Sequence, residues 1–333
     1  MKMVGMSVVI IDDKRLWDKF IDDSPYGTLF HRWDFLRIIE RHSGYRLLPY
    51  GVYKGNELIC LFPMYFRKYR GMRILFSPPP HTVVPYLGFV MGAAYDGLKQ
   101  RRKESYINAV ADEIDVEIKK LSPNYLSVTS VPHFEDVRPF KWNAFNVKVC
   151  YEYAFDLNKS LDEIWGGFDM NCKKSIKGCK GIPLEIRQVS DADTFYRIMA
   201  ERLREKGQTF HARTPAYLKE VLEAFPENVK MYFLYSQDQI AGMQTIIEYK
   251  GRCVLWLGSA NGHFNEYLIW ELLKDAKARG IREFEMPGGD TKRLTPFKSK
   301  FNPHIELDFN LSRKDLFGTL AEWAFRNVTK GWV

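Results

Sequence analysis

At 333 residues the chain is too long for one small core and fits two domains of ordinary size. Hydrophobic residues make up 46% and charged residues 27%, a globular composition that excludes a disordered or low-complexity chain. A formal charge of +8 favours anionic partners (phosphates, nucleotides, nucleic acid or an acidic membrane face) without selecting among them.

In chain order, the pattern predicts a short strand over 7–11, a helix over 34–42 and two consecutive strands over 47–53 and 58–65. Gly55-Asn56 between them is a tight-turn signal. A strand over 72–76 follows, then the rigid break Ser77-Pro78-Pro79-Pro80. Ile107, Val110, Ile114, Ile118 and Leu121 recur at helical spacing over 106–121, before a strand over 125–130. The second half repeats this order. A strand over 151–156 leads to Ser160 and Glu163, the Ser-x-x-Glu pattern of a helix start. A basic helix over 171–180 is ended by Gly181 and Pro183. Helices are expected over 192–206 and 215–225, and strands over 229–236, 239–249 and 252–258. Asn265 is placed to cap a helix running to Ala278, stopped by Gly280. A strand over 282–286, a basic-aromatic loop at 295–301, a further strand and a helix over 315–328 complete the chain.

Each half thus holds antiparallel hairpins, a long helix and a following strand. That is an α/β fold with mixed sheets, and not a doubly wound parallel one. The equal order of elements suggests a duplication, with domains over 1–150 and 151–333. A boundary between domains is a common place for a ligand cleft.

The five cysteines are scattered and form no Cys-x-x-Cys, and the seven histidines form no His-x-x-x-His. Neither a zinc site nor a redox pair is expected. The first residues carry one lysine and a short apolar run without a small-residue cleavage site, so no signal peptide is expected. The apolar stretch 82–94 is too short and proline-broken to span a bilayer. The expected location is cytoplasmic, without integral membrane association.

Several segments together resemble the Fem peptidyltransferase family and its relatives in the GNAT acyltransferase superfamily. Thr28-Leu29-Phe30-His31-Arg32-Trp33, followed by the Leu-Phe-Pro-Met strand at 61–64, is similar to that family's opening. Lys173-Lys174-Ser175-Ile176 resembles its basic pair ahead of an isoleucine. Arg213-Thr214-Pro215-Ala216-Tyr217 resembles its Arg-x-x-x-Tyr helix start. Phe297-Lys298-Ser299-Lys300-Phe301 resembles its Phe-Lys-x-x-Phe-Gly loop. The departures are Asn302 in place of the glycine and lysines in place of arginines at 173–174; lysine lacks the planar two-pronged contact of arginine. The resemblance implies two tandem GNAT-like domains and transfer of an acyl or aminoacyl group to an amine.

Acyl transfer to an amine requires aligned reactants, a neutral amine and a stabilised oxyanion. An activated donor needs no protein nucleophile, in keeping with the lack of a Gly-x-Ser-x-Gly motif. Lys298 is the expected catalytic residue, with Lys300 on the opposite side of an extended segment. A solvated basic loop is the alternative. Arg213 and Tyr217, one helical turn apart, are expected to hold substrate, as are Trp256 and Lys174; a surface arginine, a packing tyrosine, a core tryptophan and a solvated basic face are the plain readings. Glu248 and Glu285 are strand-borne carboxylates able to take the amine proton, and Gly288-Gly289-Asp290 is a candidate anion-binding turn. The Gln/Arg-x-x-Gly-x-Gly/Ala loop of coenzyme A-binding GNAT enzymes is not matched at Gly258–Asn265. The expected co-substrate is therefore acyl-CoA or aminoacyl-tRNA, with no tightly bound cofactor. The expected acceptor is an anionic small molecule or nucleotide-linked amine, with tRNA a further partner. A non-catalytic GNAT-fold module binding a nucleotide-linked or RNA ligand is the alternative, and the oligomeric state is left open.

Overall fold

The computed structural model describes residues 5–205, 207, 210 and 214–328, without the side chains of 321 and 324–328. The chain forms two compact units, Met1–Cys150 with Leu307–Val333 and Tyr151–Glu306.

In the first unit the chain runs β1 (Met6–Ile10), α1 (Lys14–Asp23), α2 (Trp33–Ser43), β2 (Arg46–Lys54), β3 (Glu57–Tyr69), β4 (Met72–Ser77), β5 (Val90–Met91), α3 (Gln100–Leu121), β6 (Tyr125–Thr129) and α4 (Arg138–Trp142). Helix α1 was not predicted. Asp13 caps it by accepting from Arg15 N and Leu16 N, and its buried apolar stripe is only Trp17 and Ile21, too narrow to stand out in the sequence. Strand β1 pairs antiparallel with β2 across the two intervening helices, β2–β3 and β3–β4 are antiparallel hairpins, and β5 pairs with the early part of β3. After the crossover through α3, β6 pairs parallel with β4, from Ile74↔Tyr125 to Ser77↔Val128.

Strand β7 (Asn146–Asp156) carries the chain into the second unit. There follow α5 (Leu161–Gly167), α6 (Met170–Gly178), β8 (Leu184–Val189), α7 (Ala192–Glu205), α8 (Pro215–Ala224), β9 (Val229–Ser236), β10 (Gln239–Tyr249), β11 (Arg252–Ala260), α9 (Phe264–Ala278), β12 (Glu283–Met286), α10 (Thr295–Lys298), β13 (His304–Lys314) and α11 (Leu316–Val328). The predicted capping box is present: Ser160 Oγ accepts from Glu163 N at 3.1 Å, and Glu163 accepts from Ser160 N at 2.7 Å. Strand β8 pairs antiparallel with β9 across α7 and α8, and β9–β10 and β10–β11 are antiparallel hairpins; β12 returns through α9 parallel to β11, and its other edge pairs antiparallel with β7. The same path, three antiparallel strands, a helix and a parallel strand, thus occurs in both units. These are two α/β units with mixed sheets and the same path, as expected for tandem domains.

Both faces of the second sheet are covered. One carries a cluster built from Phe155, Phe168, Cys172, Leu234, Trp270 and Phe284. On β9 the alternate residues Met231 and Phe233 are buried too, and α7 and α8 contribute Phe195, Met199, Leu218 and Val221 to the interior. In α9 the buried positions Leu268, Ile269, Leu272, Leu273 and Ala276 form one stripe, worth roughly 1.5–3 kcal/mol for each large side chain removed from water.

Three expectations are corrected. The second domain does not run to residue 333: from 307 the chain belongs to the first unit, because β13 pairs antiparallel with β6 from Asn310↔Thr129 to Lys314↔Tyr125. Helix α9 begins at Phe264 with His263 at the N-cap, so Asn265 lies inside it. The segment 295–301 is not an extended loop. Pro296, with φ already fixed for a first turn, opens α10, and a 3-10 turn, Ser299–Phe301, continues it. Asn302 ends this turn in the left-handed region, at φ 51° and ψ 47°. Asparagine tolerates that conformation better than other non-glycine residues, so the departure from glycine preserves the backbone turn.

Candidate active site

The site begins with a parting of strands in the second unit. Strands β11 and β12 pair over three residues, from Arg252↔Glu283 to Val254↔Glu285. Beyond that point β11 follows β10 as far as Gly242↔Ala260, whereas β12 follows β7 to Met286↔Tyr153. A bulge starts the separation. The register of β10 on β11 jumps from Thr245↔Leu257 to Ile246↔Leu255, leaving Trp256 as the extra residue. Two buried polar side chains knit it. Thr245 Oγ1 donates to Leu257 O and accepts from Leu257 N, and Gln244 Nε2 donates to Leu257 O at 2.8 Å. Gly258 suits this close approach, since a Cβ would lie 2.7 Å from the backbone Met243 O and would also displace the Gln244 side chain.

At the end of β12 the chain turns through Pro287, Gly288 and Gly289. Gly288 has φ +98°, and a Cβ on Gly289 would lie 2.3 Å from Tyr151 O. Two oppositely charged side chains, one buried and one half-buried, grip this turn. Lys298, on the last position of α10 and 8% exposed, donates to Met286 O at 3.3 Å and to Pro287 O. Glu152, on β7, accepts from Gly289 N at 2.9 Å and from Gly288 N. The backbone N–H groups of the expected anion-binding turn are thus engaged by the chain's own Glu152 carboxyl.

Burial shifts both groups toward neutrality. It pushes Glu152 up to about 7, with the Gly289 N–H bond opposing and the charge of Glu285 adding to the rise. It pushes Lys298 down to about 8, against the attraction of Glu152 and Glu285. Glu285, fully buried, is fixed by Arg252 Nε at 2.8 Å, and the same guanidinium reaches Glu283 and Glu306. The arrangement therefore holds a carboxylate and an ammonium on one turn with proton affinities near neutrality. An ammonium has three N–H donors, and two of those on Lys298 are committed to carbonyls.

The remaining expected residues divide. Lys298 is not an exposed hook; it is a buried clamp on the turn after β12. Lys300 is also engaged, 2.8 Å from Glu266 in the first turn of α9 and with its ammonium 5.2 Å from the centre of the Phe297 ring. Trp256, at the bulge, is 9% exposed and packs within the sheet. Tyr217 is fully buried, so it lies inside the unit and does not face a cleft; its hydroxyl is pushed upward by that burial. Lys174 is exposed on α6. Arg213 lies outside the described residues. Glu248 and Glu285 are not poised acceptors: Glu248 pairs with Lys230 at 2.7 Å and with Arg279, and Glu285 with Arg252. Glu152 was missed because nothing in Tyr151-Glu152-Tyr153 distinguishes it from a solvent-facing strand carboxylate. Only the pairing of β7 with β12 brings it to the turn.

Residues 172–299 match the family model described as Acetyltransferase (GNAT) domain. No curated protein matches the chain by sequence. Among solved structures, the chain resembles the crystal structure of FemX at a TM-score of 0.66 and 11% identity, covering 91% of this chain and 96% of that one. It resembles L-PGS from Bacillus licheniformis at 0.57 and 14% identity, covering 96% and 97%. It resembles a tandem GNAT protein from the clavulanic acid biosynthesis pathway at 0.53 and 10% identity, covering 93% and 98%. At such identities these are likenesses of fold. The parted strands, the bulge and the turn at 286–289 all lie in or beside the segment that matches the GNAT acetyltransferase domain, and the fold of the chain is similar to that of FemX and of a tandem GNAT protein.

Proposed function

We propose that the chain is an N-acyltransferase that moves an acyl or aminoacyl group from acyl-CoA or aminoacyl-tRNA to the amine of an anionic acceptor, at the parting of β11 and β12. The observation that carries this reading is the turn at 286–289, held by Lys298 and Glu152, whose proton affinities are drawn toward neutrality. The pairing of β11 with β12 ends at Val254↔Glu285, and an extended donor with amide groups would lie along β11 beyond that point. The amine nitrogen attacks the donor carbonyl, the N–C bond forms, and the C–S or C–O bond breaks. Glu152 takes the proton released by the amine and returns it to the leaving sulfur or oxygen, which departs as the neutral thiol or hydroxyl. The uncommitted N–H of Lys298 steadies the oxyanion in between.

The test is transfer itself. The full chain is incubated with acyl-CoA species or charged tRNA and amine acceptors, and new amide is sought by mass spectrometry. Lys298→Met and Glu152→Gln should each lower the rate by about a hundredfold or more, the scale of a lost acid–base or oxyanion contact, with the circular dichroism spectrum retained. Rates near wild type in both would reject the assignment. A second reading, a GNAT-fold module that binds a nucleotide-linked or RNA ligand without turnover, is favoured by one observation: Lys298 and Lys300 are both bonded internally. Ligand binding with no amide formed from any donor would establish it.

A further inference from the structure

We infer that the first unit carries a docking face for the surface of an anionic phospholipid bilayer, formed by helix α11 and the tip of the β3–β4 hairpin. Over residues 316–323 helix α11 presents an apolar stripe outward. Leu316 is 85% exposed, Leu320 65% and Trp323 66%, with Phe317 beside them at 53%. At 100° per residue Leu316, Leu320 and Trp323 fall within about 60° of one another and opposite Gly318. Gly318 marks the side that touches the protein: a Cβ there would lie 2.0 Å from Asn124 O. A core helix is oriented the other way round, so the outward stripe is built for an apolar medium outside the fold.

The neighbouring charge indicates which medium. Asn124 links the start of α11 to the hairpin: its side chain donates to Asp315 Oδ2 at 2.7 Å, and it exchanges hydrogen bonds with the backbone of Arg73. The hairpin tip reads Arg67-Lys68-Tyr69-Arg70-Gly71-Met72-Arg73. Lys68, Arg70 and Arg73 are exposed, and the exposed Tyr69 ring is flanked by the guanidiniums of Arg67 and Arg70 at 5.1 and 5.4 Å. An apolar stripe with a tryptophan, set beside a basic and aromatic hairpin, fits the headgroup region of an anionic leaflet. The stripe enters the acyl boundary and the cations meet lipid phosphates. A nucleic acid satisfies the cations but leaves the aliphatic stripe in water, and a second copy of the chain satisfies the stripe but not the cations.

The probe is vesicle sedimentation of the full chain. Phosphatidylglycerol vesicles should bind at least tenfold more strongly than phosphatidylcholine vesicles, and binding should weaken as salt rises. The pair Leu320→Glu with Trp323→Glu should lower binding at least tenfold, and the pair Lys68→Glu with Arg70→Glu should do the same. Thermal midpoints show whether the variants stay folded; if the helix pair lowers the midpoint, the hairpin pair, on a separate element with exposed side chains, decides. No preference for phosphatidylglycerol overturns the inference. So does vesicle binding unchanged by both pairs. Loss of RNA binding or of a dimer in these variants, with vesicle binding intact, overturns it as well.

Discussion

Glu152 and Lys298 hold the same glycine turn from opposite ends of the proton scale, and each is drawn toward neutrality by burial. The signs define a pH profile for the proposed transfer. Glu152 accepts a proton only when ionised, so the rate should rise as pH passes about 7. Lys298 contributes only when protonated, so the rate should fall as pH passes about 8. A narrow bell is expected, and Glu152→Gln should remove its low-pH limb. A rate that is flat from pH 6 to 9 would exclude the pair from the chemistry. Asn302 offers a test of backbone and not of charge. In its left-handed turn Asn302→Ala should cost about 1 kcal/mol and Asn302→Gly much less, read as a shift in the urea midpoint. Equal losses would mean that the side chain, beside Gly167, matters more than the dihedral angle.

At the level of elements, the parting of β11 from β12 depends on a bulge and two close approaches. Gly289→Ala forces a Cβ into Tyr151 O, so either the turn or β7 must move. The expected cost is about 1–3 kcal/mol, the usual range for overpacking, together with loss of transfer activity because the two N–H groups that hold Glu152 shift. Unchanged melting temperature and unchanged rate would show that the turn is slack. Ser160→Ala tests a feature already legible in the sequence: it removes the reciprocal cap of α5 and should cost about 1 kcal/mol in thermal or urea unfolding.

For the whole molecule, residues 307–314 of β13 complete the first sheet along β6, although they follow the second unit in sequence. Ending the chain at residue 306 should therefore damage the first unit. Hydrogen exchange should lose protection over 125–129, where Leu126 and Val128 are buried, before any loss over β9–β11. Protection retained over 125–129 would show that β6 does not need its partner. Among the described residues no helix is long and apolar enough to cross a membrane.

The sequence by itself determined the class of fold, most element boundaries in the second half, the capping box at Ser160 and the succession of motifs that resembles the Fem group. These follow from period, turn chemistry and short-range spacing, which act within a few residues. It could not decide the environment of a side chain. Lys298 reads as an exposed cation in a basic loop, and Glu152 as an ordinary strand carboxylate. Only the pairing of β7 with β12 and the helical winding of 295–301 place both on one turn, burying Lys298 and half-burying Glu152. Burial, and with it the chemistry of a charged group, is set by what distant strands bring alongside it, and that is a property of the folded chain alone.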